Sequence, residues 1–173
     1  MKKHGMDMVA LELIRHLQEI DKVNEYFIFV RPDRDDRVIS ETPNFHIVRI
    51  DGGPYPYWEQ VLLPGAAAKH RCDLLHCTSN TAPVMTKIPL MITLHDIIYL
   101  EKMMLFGKQG SWYQKLGNLY RRWVVPTAVA KSRVVITVSD FERDRISRFF
   151  GMGGDRLFTV YNGVGSHFRP VEE

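Results

Sequence analysis

The apolar runs of this chain do not alternate. Tyr26-Phe-Ile-Phe-Val30 is apolar throughout, and so are the cores of Leu90-Met-Ile-Thr-Leu94 and Val134-Val-Ile-Thr-Val138. A strand with one wet face alternates apolar with polar residues; a continuous run reads as a strand covered on both faces. Between such runs lie segments with helical spacing. Met8, Leu11, Ile14, Arg15 and Leu17 fall at that spacing, so an amphipathic helix is predicted from Asp7 to about Asp21. Further strands are predicted at Phe45–Ile50, Leu74–Cys77 and Leu157–Val160, and helices at Tyr57–His70, Ser111–Lys131 and Asp140–Phe150. Pro64-Gly65 is expected to interrupt the Tyr57–His70 helix and Pro126 to kink the Ser111–Lys131 helix. Arg31 to Asn44 and Asp96 to Gly110 read as connections. The alternation of strands and helices predicts an α/β fold: a Rossmann-like, mostly parallel sheet with helices on both faces.

With 173 residues the chain has room for one domain with a real core. Apolar content of 45% and charged content of 25% are those of a globular protein. A net charge of +3 does not demand nucleic acid. No stretch behind Lys2-Lys3 has the length and apolarity of a signal peptide or a membrane span. Cys72 and Cys77 flank a predicted strand, too far apart when extended to bridge, so free thiols and a reducing, cytoplasmic setting are expected.

In an open parallel sheet, ligands bind at the carboxyl ends of the strands. Polar residues stop the apolar runs at those ends: Thr78-Ser79-Asn80, His95-Asp96, Ser139 and Asn162-Gly163. Each also has a structural explanation. Ser139-x-x-Glu142 reads as a capping box with Gly151 as the helix stop. Asn162-Gly163 is a turn pair, and Asn80 suits a strand-end turn. His95 reads as a loop histidine with Asp96 as a local partner, or as a donor to a bound ligand. A metal held by His76, His95 and Asp96 lacks any ligand-spacing motif and is disfavoured. Trp112, Lys115, Leu119, Arg122 and Trp123 share one predicted helix; burial of its aromatics in the core is favoured over contact with a membrane surface.

Leu11-Glu-Leu-Ile-Arg-His-Leu17, His76-Cys-Thr-Ser-Asn80, Ile92-Thr-Leu-His-Asp96, Ile136-Thr-Val-Ser139, Asn162-Gly-Val164 and Phe168-Arg-Pro170 occur in this order and spacing. The set resembles the N-terminal, acceptor-side domain of retaining glycosyltransferases of family 4, which pair two Rossmann-like domains across a cleft in the GT-B arrangement. That resemblance implies a Rossmann-like domain over residues 1–170, an interdomain linker from 171, and a donor-binding C-terminal domain outside this chain. It also implies a first strand missing ahead of the opening helix.

The resemblance implies roles as well. His95 is similar to the cleft histidine beside the transferred sugar, with Asp96 as its neighbour. Ser139 resembles the residue at a helix N-terminus facing the acceptor. Asn162-Gly163 resembles the cleft turn before the linker, and Gly5 a loop glycine near the donor diphosphate. The family's second loop glycine is replaced by Asp7. Implied partners are a nucleotide-sugar donor and a glycan or lipid-linked acceptor. Transfer is expected to be retaining, mannosyltransferase-like among the options, and independent of metal or any other cofactor. The isolated chain is expected to be inactive, cytoplasmic, and at most peripheral on a membrane. A non-catalytic Rossmann-like domain that binds a glycan or partner is the alternative.

Overall fold

The computed structural model describes residues 5–32, 38–101 and 112–163. Helix α1 (Gly5–Ile20) leads into strand β1 (Tyr26–Val30) and then β2 (Phe45–Arg49). A helical stretch follows, made of α2 (Tyr55–Tyr57), a π-helical segment (Trp58–Leu62) and α3 (Leu63–Lys69). Then come β3 (Leu75–Cys77), β4 (Leu90–Leu94), α4 (Ile98–Glu101), α5 (Trp112–Lys131), β5 (Val134–Thr137), α6 (Asp140–Phe150) and β6 (Leu157–Thr159). The sequence-predicted elements match these within a residue or two. The exceptions are the helical stretch after β2 and short α4, which lies inside the predicted Asp96–Gly110 connection.

Among the described residues, all strand pairings are parallel, in two sheets that are not hydrogen-bonded to each other. One holds β1 and β2, with Ile28 opposite Ile47. The other runs β3-β4-β5-β6, with Cys77 opposite Ile92, Leu94 opposite Thr137, and Thr137 opposite Thr159. The parallel α/β prediction holds. Among the described residues no strand precedes α1.

The core explains the unbroken apolar runs. Ile92, Leu94 and Val135 are fully buried in the central strands, covered by Ala67 of α3, by Val124, Val125, Ala128 and Val129 of α5, and by Ile146 of α6. Each such aliphatic side chain contributes roughly 1.5–3 kcal/mol by leaving water. Leu94→Ala would leave a cavity between layers and cost about 2–5 kcal/mol. Arg156 fixes the α5–β5 end of this core by donating to Val129 O at 3.2 Å, neutralising a helix C-terminus.

Two sequence expectations fail here. Pro64-Gly65 does not interrupt the helix. Leu63 N–H reaches back five residues to Trp58 O, so the extra residue of the π turn places Pro64 at the start of α3, where its missing N–H is harmless. Nor does α5 bury Trp123. Val124, Val125, Ala128 and Val129 fill the core side, and Leu116, Leu119 and Trp123 face solvent, Trp123 being 64% exposed. The side chains of Trp112 and Lys115 lie outside the described part, as does the Phe168–Pro170 motif. α5 runs on through Pro126.

Candidate functional site

The parallel register decides where polar residues gather. Since β3, β4, β5 and β6 run the same way side by side, the residues that follow them share one edge of the sheet. Thr137 ties this edge together: its hydroxyl donates to Leu94 O at 2.8 Å, and its carbonyl accepts from Val160 N–H at 2.8 Å. Thr78–Asn80, His95-Asp96, Ser139 and Asn162-Gly163 therefore lie along a common rim.

His95 is half-buried and anchored at both ends. Its backbone N–H donates to Asn80 Oδ1 at 2.7 Å, and its Nε2 lies 3.0 Å from Thr78 O. A carbonyl only accepts, so Nε2 carries the proton. In the neutral ring Nδ1 is then an acceptor, and no partner is recorded for it among the described residues. This changes the chemistry expected from sequence. The neutral imidazole has no N–H left to donate to a ligand; it accepts from a hydroxyl, and donates through Nδ1 only when protonated.

Asn80 is buried, with φ +58°, a left-handed conformation that asparagine tolerates better than most residues. Its own N–H donates to Thr93 O at 3.1 Å, so the turn after β3 is held against β4 from both sides. Asp96 does not bond His95; its Oδ1 accepts from Ile98 N–H at 3.1 Å and shapes the turn into α4. His76 points elsewhere, its Nε2 lying 2.9 Å from Thr93 Oγ1. Burial lowers its pKa.

Ser139 caps α6: its hydroxyl accepts from Glu142 N–H at 3.2 Å, and Gly151 ends the helix with φ +63°. The predicted capping box is half formed. The Glu142 carboxylate pairs with Arg145 instead of turning back to Ser139, and its Oε2 is buried with no hydrogen-bond partner among the described residues. Beside Ser139, the Asp140 carboxylate accepts from Tyr161 at 2.5 Å and Thr159 at 2.8 Å. Those two donors, Tyr161 first, lower its pKa. The same bonds dock the chain just before exposed Asn162-Gly163 onto the N-terminus of α6.

Gly5 is the exposed first residue of α1, and no recorded contact joins it to His95, Ser139 or Asn162. A Cβ at Gly5 would meet nothing within 4 Å, so nothing nearby requires glycine there.

Some site elements were not read from sequence. Thr78 acts through its carbonyl, which carries no sequence signal. Asp140 and Tyr161 were within reach, because an acid beside an N-cap with a tyrosine at the next strand end is visible in the chain. Glu59, buried under this rim, was missed altogether.

Among the described residues, no helix is long and apolar enough to cross a membrane. No curated protein matches the chain. The family model described as Glycosyltransferase Family 4 matches residues 4–167, which takes in the whole rim. The chain therefore belongs to glycosyltransferase family 4, corresponding to the N-terminal domain of such an enzyme.

Proposed function

We propose that this domain forms the acceptor-side wall of a retaining transfer, moving a hexose from a nucleotide-sugar to a glycan or lipid-linked acceptor. The observation that carries the reading is the imidazole of His95 held at the strand-end rim with Nε2 committed and Nδ1 uncommitted. There Nδ1 accepts from a hydroxyl of the transferred sugar and orients the ring for departure of the nucleoside diphosphate. Positioning of this kind supplies much of the rate in group transfer. Ser139 and Asp140 at the α6 N-terminus, with Asn162-Gly163 beside them, face the acceptor.

No metal is assigned a role, because the sequence carries no ligand-spacing motif; EDTA is expected to leave the transfer rate unchanged. Transfer is expected to need a donor-binding domain facing this one, and the isolated domain is expected not to transfer. A mannosyl donor is one candidate among hexoses. Leu116, Leu119 and Trp123, with exposed Arg122 beside them, support a peripheral membrane contact from the cytoplasmic side. Flotation with anionic vesicles tests that contact: a chain that stays at the bottom of the gradient removes it.

The decisive assay uses a protein containing this domain and a panel of radiolabelled uridine- and guanosine-diphosphate hexoses, reading donor consumption and the anomeric configuration of the product. His95→Ala is expected to lower turnover at least about tenfold, the scale of a lost positioning contact. Unchanged turnover removes His95 from the mechanism. Glycan binding without donor consumption would point to the non-catalytic alternative.

A further inference from the structure

Glu59 is 2% exposed and carries a carboxylate into the interior. No ion pair to it is present among the described residues. Every partner is neutral. The Tyr55 hydroxyl donates at 2.8 Å and the Gln60 amide at 3.1 Å, and the hydroxyls of Thr81 and Tyr120 donate as well. These donors come from separate elements: Tyr55 from α2, Thr81 from the turn after β3, Tyr120 from α5. Gln60 extends the network, its Oε1 accepting from Val84 N–H at 2.9 Å and its amide reaching Tyr120 Oη at 2.8 Å. Burial and the neighbouring carboxylate raise the pKa of both tyrosines, so both stay protonated and keep donating.

Stability alone does not call for this arrangement. A buried charge without a counter-charge is expensive even when hydrogen-bonded, and an apolar side chain of similar size generally does as well. Glu59 also sits in a π-helical segment, a rare form concentrated at functional sites. Two unfavourable features in the same five residues need a common reason.

The reason lies one residue from Thr81. Asn80 holds the backbone of His95, and Thr78 holds its ring. The Thr78–Thr81 turn is thus hydrogen-bonded to the Glu59 carboxylate at one end, through Thr81, and to His95 at the other, through Asn80 and Thr78, with the backbone of the turn joining the two. We infer that Glu59 is a positioning residue, whose buried carboxylate locks the Thr78–Thr81 turn in the form that fixes His95 at the rim. The consequence for transfer rests on the proposed function; the positional claim does not.

Amide hydrogen exchange on the folded chain separates the two. Glu59→Gln presents an amide to hydroxyl donors, and Thr81→Val keeps the shape while cutting the link to the turn. In both, the amides of Asn80 and His95 are expected to exchange at least about tenfold faster, with Val135 and Val160 within about twofold of the parent, as local opening requires. Tyr120→Phe, which removes one of the donors, gives a smaller change at the same two amides. Unchanged exchange at Asn80 and His95 in the folded variants overturns the inference. So does a uniform acceleration that includes Val135 and Val160, which would mark Glu59 as merely structural. Should Glu59→Gln fail to fold, Thr81→Val decides alone. In a transfer assay, Glu59→Gln is expected to lower kcat with little change in donor KM. A parent protein without transfer activity would sink the proposed function and leave the exchange result standing.

Discussion

The side-chain oxygen of Asn80 lies 2.7 Å from the backbone nitrogen of His95, so the turn after one strand fixes the start of the loop after the next. Substitution at Asn80 separates its two tasks. Asn80→Gly keeps the left-handed backbone and loses only the acceptor, leaving the His95 N–H unpaired at a cost of about 1–3 kcal/mol. Asn80→Ala adds the strain of a Cβ at positive φ, about 1 kcal/mol more. Urea denaturation should rank the parent above Gly and Gly above Ala. Equal midpoints for Gly and the parent would show that the hydrogen bond contributes nothing.

Ser139 is expected to behave first as a helix cap. Ser139→Ala should lower stability by about 1 kcal/mol, and Ser139→Asp should retain most of it, because aspartate accepts from the same N–H and suits the positive helix end. Thermal unfolding followed by circular dichroism checks this. If Ser139→Asp also abolishes transfer while the fold is intact, the hydroxyl faces substrate as well.

His76 predicts a pH dependence with a definite sign. Burial holds its folded pKa below the ordinary 6.5. In the unfolded chain it takes up a proton near that value; in the folded chain it does so only at lower pH. The stability it contributes is present above pH 6.5 and is lost as pH falls through the window down to the folded pKa. Unfolding midpoints measured through that window should decline, and His76→Gln should flatten the decline. An identical slope in the variant would assign the effect to other groups.

The two thiols should differ in reactivity. Cys77 is buried, and burial with the Glu59 charge pushes its thiol up to about 12. Cys72 is half-buried with a smaller upward shift, caused by burial and then Asp73. Because the thiolate is the reactive form, a disulfide reagent at mildly alkaline pH should modify Cys72 first and reach Cys77 only in denaturant. Prompt reaction of both in the native protein would contradict this burial.

Strand positions were legible because the signal is local. Tyr26–Val30 ends at Arg31-Pro32 and Leu90–Leu94 at a histidine, and both strands have the bounds read from sequence. The rim followed from the parallel order. What was not legible depends on partners distant in the chain. Nothing around Glu59 announces a π turn, because its donors Thr81 and Tyr120 are 22 and 61 residues away. Trp123 looked like a core residue because aromatics usually are; which face of α5 is covered is decided by the sheet beneath Val125 and Val129. Which ring nitrogen of His95 carries the proton was not legible either, since its tautomer is set by a backbone carbonyl 17 residues away.

Among the described residues, β1 and β2 share no ladder bond with the other strands, and this sets what holds them in place. Among the described residues the pair leans on the rest of the fold through side chains of the helical stretch after β2, with the Trp58 indole donating to Ile50 O and Phe27 against His70. Side-chain contacts yield more readily than a continuous ladder. Coupling across that gap is therefore a matter of side-chain packing: Trp58→Phe, which removes the indole donor to Ile50 O, is expected to loosen the hold on β1 and β2 without touching the strands that lead into His95 and Ser139.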